Sequence, residues 1–229
     1  QSIEVQNKSG GAEGFVGVAA RLARSRWKCG TWTDLTTTYL DQTANAQEIT
    51  VDDDVILETV TNNDGFIVAA QDIFNLINLF VTTASVGTNV RVLEYTKADG
   101  TWGSITDAYV MPPTGASEYV ITGSQENAIA FEAPMDWDKA IAAHGTNIPV
   151  GWYCIRVRAT TAPTTAALAR SITIAQSILG TLQLANNTLF VGGAGFGEHV
   201  FSCLADCIVP FASTPSIQNT FRCNVRVMG

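Results

Sequence analysis

GWYCIRVRATTAPTTAA, residues 151 to 167, is the stretch from which the fold can be read. Successive side chains of an extended strand point to opposite faces, so Tyr153, Ile155 and Val157 share one side and Cys154, Arg156 and Arg158 the other. The first side is fit for a core. The second carries two cations that are either solvated or met by acidic groups on a partner subunit. A strand with one apolar and one polar face belongs to a sheet layered against something else, and the Thr/Pro/Ala run that follows is a loop.

Similar segments recur at short intervals between residues 51 and 174. GFIVAA follows Asn62-Asn63-Asp64-Gly65, NVRVLEY precedes KADGTW, EYVITG follows PPTGAS, AIAFEAP ends on Pro134, and SITIA follows the Thr/Pro/Ala loop. Strands separated by turn residues at this spacing indicate a sandwich or barrel. Asp99-Gly100 is the strongest hairpin turn, because glycine accepts positive φ at little cost. In DIFNLINLFV, residues 72 to 81, Ile73, Leu76, Ile77 and Phe80 fit a helical stripe while Phe74, Leu76, Asn78 and Phe80 alternate. Its neighbours are strands, which favours a strand here too.

Composition agrees. Of 229 residues, 46% are hydrophobic and only 15% charged, a mixture that suits strands and turns more than surface helices. The chain is long enough to bury a substantial core without a cofactor. The expected fold is all-β, a jelly-roll-like antiparallel β-sandwich over 51–175, with an N-terminal arm and first hairpin over 1–50 and a C-terminal β extension over 176–229. In the extension, FRCNVRV sets Phe221, Cys223, Val225 and Val227 against Arg222, Asn224 and Arg226.

The arm, QSIEVQNKSGGAEGFVGVAARLARSRWKCG, pairs a Gly-rich opening with four cations, Arg21, Arg24, Arg26 and Lys28. Phe15, Val18, Ala19 and Leu22 fit either a short amphipathic helix or an extended segment lying on a neighbour. The net charge of -8 argues against binding naked nucleic acid, whose phosphates would be repelled. No apolar run approaches the roughly 20 residues needed to cross a bilayer. The five cysteines, at 29, 154, 203, 207 and 223, are an odd, widely spaced set expected to be mostly packed thiols.

Reactive constellations are sparse. His144 and His199 are the two histidines, and neither adjoins a nucleophile motif. His199, Cys203 and Cys207 have metal-ligand chemistry at steps of four but lack the tight Cys-x-x-Cys pair, so an ordinary packed segment is the better reading. GGAGFG does not match a phosphate-binding or dinucleotide loop, and VDDDV, with Asp52 to Asp54, lacks the ligand series of a calcium loop. No catalytic, cofactor or metal site is expected, and the chain does not read as an enzyme. Trp27, Trp32, Trp102, Trp137 and Trp152 either stack on sugars from an exposed sheet or fill core and subunit contacts, and the second is expected. CGTWTDLTTTY and DGTWGSITDAY, at 29–39 and 99–109, share Gly-Thr-Trp, an echo too short to mark a duplicated domain.

Together, RVLEYTKADGTWGSITDAY, AIAFEAPMDWDKA and GWYCIRVRATTAPTTAALARSITI resemble a β-sandwich module of tailed-phage virion proteins. The matching positions are Tyr95, Gly100, Trp102, Phe131, Pro134, Trp137, Trp152, Tyr153, Ile155, Arg156 and Arg158. The likeness spans roughly residues 64 to 175, and departs from the module's pattern at Cys154 and in the DKAIAAHGTNIPV insert. What the resemblance implies is a structural role on the outer capsid surface of a virion, as a decoration or cement protein. Its homotrimers would contact the major capsid protein through Arg21, Arg24, Arg26 and Lys28, and one another through Arg156, Arg158, Thr160, Thr161 and Pro163. The alternative is a tail or head-fibre module that binds a host receptor or glycan. Neither role involves nucleic acid, membrane or cofactor.

Overall fold

The computed structural model describes residues 2–7, 14–48, 54–87, 90–106, 108–111, 126–177, 182–184, 189–191, 208–213 and 221–226. Seventeen strands run along the chain among these residues. They are β1 (Ser2–Asn7), β2 (Gly14–Arg21), β3 (Trp27–Thr33), β4 (Thr38–Asp41), β5 (Val55–Ile56), β6 (Gly65–Ala70), β7 (Leu76–Thr83), β8 (Val90–Thr96) and β9 (Trp102–Ile105). There follow β10 (Ala108–Met111), β11 (Glu126–Phe131), β12 (Tyr153–Thr161), β13 (Leu168–Ser177), β14 (Leu182–Leu184), β15 (Leu189–Val191), β16 (Ile208–Ser213) and β17 (Phe221–Arg226). One short helix, α1 (Thr43–Gln47), interrupts them. The fold is all-β, built on antiparallel strand pairs, with an isolated parallel bridge between Thr38 and Thr146 among the described residues. Among the described residues no helix is long and apolar enough to cross a membrane.

The chain forms two compact units, Leu22–Ala175 and a second made of residues 1–21 with 176–229. The larger is a sandwich. One layer has the order β4-β3-β6-β12-β8-β9, and the other contains β10-β11-β7-β13 with β5 beside the start of β13. Cys29, Phe66, Val68, Leu93, Ile155 and Val157 of the first layer meet Ile77, Leu79, Val81, Ile129, Ile172 and Ile174 of the second in one continuous core. Side chains of this size each contribute about 1.5–3 kcal/mol when fully buried, so this apolar seam holds the layers together.

The two-faced reading of β12 therefore holds on its apolar side. Residues 72 to 81 also contain a strand, though its core-facing side is Ile77, Leu79 and Val81 while Phe80 is partly exposed. All of GFIVAA is buried, which alternation alone does not explain. Phe66, Val68 and Ala70 enter the inter-layer core, whereas Ile67 and Ala69 join a second cluster on the outer side with Trp32, Tyr39, Ala140, Ile148 and Cys154. The DKAIAAHGTNIPV insert thus supplies, through Ala140 and Ile148, a cover for the outer face of β6. Asp99-Gly100 forms the expected tight turn between β8 and β9, with Gly100 at φ +85°.

Two boundaries differ from expectation. The first hairpin, β3 with β4, belongs to the sandwich because Trp27 to Trp32 pair along β6 from Ala70 to Gly65. The N-terminal segment is strand where Phe15, Val18 and Ala19 lie, with β2 pairing β14 and β16, and β1 pairing β15 and β17. Arm and C-terminal extension thus build one β unit from the two chain ends. EYVITG, Asp52, Asp53, GGAGFG, His199, Cys203 and Cys207 lie outside the described residues.

Candidate interaction site

β12 carries the cations that the sequence turns outward, and its register fixes what they meet. Arg156 lies opposite Ile67 on one side and Glu94 on the other. Its Nε and Nη2 donate to Glu94 Oε2 at 2.9 and 2.8 Å. Arg158 approaches the same carboxylate, Nε donating to Oε2 at 3.1 Å and Nη2 to Oε1 at 2.9 Å. Arg158 Nη1 also donates to Oδ1 of Asn63, a residue in the left-handed region at φ 69°. The guanidinium carbon of Arg156 is 4.2 Å from the ring centroid of Trp102 and 5.0 Å from that of Trp32. Such cation–aromatic contacts strengthen once desolvated, and Arg156 is only 7% exposed.

The insert completes this arrangement. The ring of His144 meets Trp102 edge-on at 5.3 Å, and its Nδ1 accepts a hydrogen bond from the Ile141 N–H at 3.1 Å. Its Nε2 lies 3.0 Å from the Thr101 carbonyl, within hydrogen-bond reach. Thr146 N–H donates to Thr37 O at 2.8 Å and Tyr39 N–H to Thr146 O at 3.0 Å, fastening the insert to the β3–β4 hairpin. Gly145 sits so close to Trp32 that a Cβ there would lie 2.7 Å from its ring.

Burial alone would raise the Glu94 carboxyl, but hydrogen bonds and charge from Arg158 and Arg156 outweigh it and hold the group below its ordinary range. Burial draws the Arg156 guanidinium below its usual value, against the pull of Glu94. The arginines do not face solvent or a partner as expected: Arg156 and Arg158 are matched inside the chain by Glu94 and Asn63.

The Thr/Pro/Ala loop stands where β12 ends, and only part of it is free. Thr160 Oγ1 donates to Val90 O at 3.0 Å, Thr164 Oγ1 to Val86 O at 2.9 Å, and Ala162 N–H to Asn62 Oδ1 at 2.8 Å. Pro163 is buried and so is not a contact residue, whereas Thr161 and Thr164 are exposed. Beneath the loop lies an ion pair that the sequence reading missed. Arg91 Nε and Nη2 donate to Glu58 at 2.8 and 2.7 Å, Nη2 also reaches Ser85 Oγ at 2.9 Å, and Ala167 N–H donates to Glu58 Oε1 at 3.3 Å. Both partners are almost completely buried.

At the opposite end of the same sheet, where β3 begins, lie three of the arm's cations, Arg24, Arg26 and Lys28. Arg24 and Arg26 are exposed on a single 3₁₀ turn, Arg26 pairing with Asp72 at 2.6 Å. Lys28 is 3.9 Å from Asp41 and 5.5 Å over the ring of Trp152. Arg21 ends β2 in the other unit and is half-buried. A nine-residue strand such as β12 spans about 30 Å, which is the separation of the two ends. Of the expected contact residues, Arg24, Arg26 and Lys28 thus lie at one end of this sheet and Thr160 and Thr161 at the other.

The tryptophans are engaged as expected of core residues. Trp27, Trp32 and Trp137 are buried, the last against Phe74, Phe131 and Tyr153. Trp102 and Trp152 are half-buried, beneath Arg156 and Lys28 respectively. Cys29 and Cys154 are buried free thiols. Compared with known proteins, the chain matches no protein-family model and no curated protein sequence.

Proposed function

We propose that this chain is a structural protein of a tailed-phage virion, a decoration or cement protein that binds the outer capsid surface and bridges subunits of the major capsid protein. It acts as a homotrimer with a jelly-roll-like sandwich, needs no cofactor and performs no catalysis. The observation that carries this reading is the bipolar layout of the sandwich: an exposed arginine turn at one end, an uncharged Thr-bearing loop at the other, and between them a face on which Arg156 and Arg158 share the Glu94 carboxylate. An element that clamps neighbours under load needs two contact ends and little internal give. The arginine turn suits acidic groups on a shell subunit, and the net charge of -8 keeps the molecule away from packaged DNA.

A glycan- or receptor-binding tail module draws less support, because it requires indoles presented in an open groove. Here Trp32 and Trp102 hold Arg156, and Trp152 lies under Lys28.

Co-sedimentation with undecorated capsid shells tests the proposal. The protein is expected to pellet with shells, and the Arg24→Glu/Arg26→Glu double variant to lose most of that binding. A protein that stays in the supernatant at low salt, or binding indifferent to these charges, overturns it.

A further inference from the structure

The end of the sandwich at which β12 finishes carries a surface that the arginine turn does not share. Loop 160–165 is flanked by Val60 to Asn62 on one side and by Val86 and Val90 on the other, through the hydrogen bonds of Ala162 to Asn62, Thr164 to Val86 and Thr160 to Val90. Val60, Val86 and Val90 are 63%, 54% and 41% exposed, and it is their grouping beside one loop, not the exposure of any one of them, that makes a patch. Thr61, Thr161 and Thr164 are exposed among them. No Asp, Glu, Lys or Arg occurs in 59–63, 84–87 or 160–167, although the chain has 21 acidic and 13 basic residues.

Three properties make this a contact surface. Val and Thr are stiff at χ1, so ordering them on docking costs little side-chain entropy. The loops are already fixed from above by their hydrogen bonds and from below by the buried Arg91–Glu58 pair, so little backbone ordering remains. The chain leaves this unit at Leu22 and Ala175, whose neighbourhood is joined by the Leu22 N–H to Ile174 O bond at the arginine end, so the Val/Thr end is remote from both exits.

We infer that the Val/Thr end binds a second copy of this chain. Charge selects the occupant. Two molecules of net charge -8 repel, so contact between copies is cheapest through a neutral patch, and residues 59–63, 84–87 and 160–167 bring no ionisable side chain to the contact. A partner recognised by charge would instead use the arginine turn at the other pole. The inference rests on the decoration reading only in assigning the self-contact to the subunits of one decoration unit.

Sedimentation velocity on the full chain tests it together with shell binding. Wild type is expected to be oligomeric, while Val86→Asp/Thr161→Asp, which places like charges in the contact, weakens self-association about a hundredfold and gives a monomer. Near-ultraviolet circular dichroism should be unchanged, since both sites are exposed, and Arg24→Ala/Arg26→Ala should leave the oligomer intact. A monomeric wild type at about 100 μM, or a variant that keeps its oligomeric state, overturns the inference. So does a variant that stays oligomeric but no longer binds shells, which would assign this end to the capsid. An oligomeric wild type that fails to bind shells would overturn the decoration reading and leave the self-contact standing.

Discussion

The guanidinium carbon of Arg156 sits 4.2 Å from the centre of the Trp102 indole, while the same side chain donates two hydrogen bonds to Glu94. One residue thereby joins three strands, β12, β8 and β9, on the outer face of the sandwich. Arg156→Lys keeps the charge and loses both the planar fork and the flat contact with the ring. It should lower stability by about 1–3 kcal/mol in urea titration and shift tryptophan emission. Arg156→Ala should cost more than Arg156→Lys, because the packing of its side chain against Trp32 and Trp102 is lost as well, while Arg158 still holds the Glu94 carboxylate. Equal midpoints for wild type and both variants would show the contact to be energetically idle.

Acid should loosen the same face. Glu94 has a lower carboxyl pKa folded than unfolded, so its contribution is fully present above the ordinary glutamate range and is lost as pH falls through the folded value. Urea midpoints measured from about pH 6 down to about pH 2 should fall for wild type. Glu94→Gln should start lower and decline less steeply, and parallel curves would refute the assignment.

The buried pair below the Thr-bearing loop predicts an asymmetry. Glu58→Gln removes the carboxylate that faces the buried Arg91 guanidinium, at a cost of about 3–5 kcal/mol. Replacing both, as Glu58→Leu/Arg91→Met, should recover most of that loss, since an apolar pair of similar volume needs no desolvation of charge. Amide exchange in 84–87 and 162–167 should nevertheless speed up in the double variant, because the Arg91–Ser85 and Ala167–Glu58 hydrogen bonds are removed. Unchanged exchange there would mean that the pair does not hold the loops.

Cys29 and Cys154 are pushed well above the ordinary thiol range, Cys29 by burial and the nearby Asp41 charge, Cys154 by burial alone. Iodoacetamide applied to the folded protein at pH 8 should leave both unmodified by peptide mass mapping, and the same treatment in urea should label both. Labelling of either thiol in the folded protein as fast as in urea would contradict its burial.

How far the fold is legible in the sequence follows from the range of each signal. Alternation is local, so β12 and its apolar face can be read from residues 153 to 161 alone. What Arg156 touches depends on the register of β8 against β12, and Glu94 reads in NVRVLEY as one more polar residue of a two-faced strand. Arg91 is the reverse case, a cation on the core-facing side of β8, in line with Leu93 and Tyr95, whose partner Glu58 lies before the preceding strands. A charge at an inward position was the available signal. The Gly-Thr-Trp echo has a spatial meaning that sequence comparison could not supply, since Trp32 and Trp102 converge on Arg156. Their glycines differ, Gly30 lying against the Leu40 carbonyl and Gly100 supplying a turn. Val86 and Val90 become a surface only once their loops are set beside residues 160 to 165.

Cryo-electron microscopy of shells incubated with and without the protein tests the central claim most directly. The account predicts added density at fixed lattice positions on the outer surface, each made of copies meeting at their Val/Thr ends with the arginine turns toward the shell. Shells identical in the two images, or density confined to a tail or fibre, would contradict it.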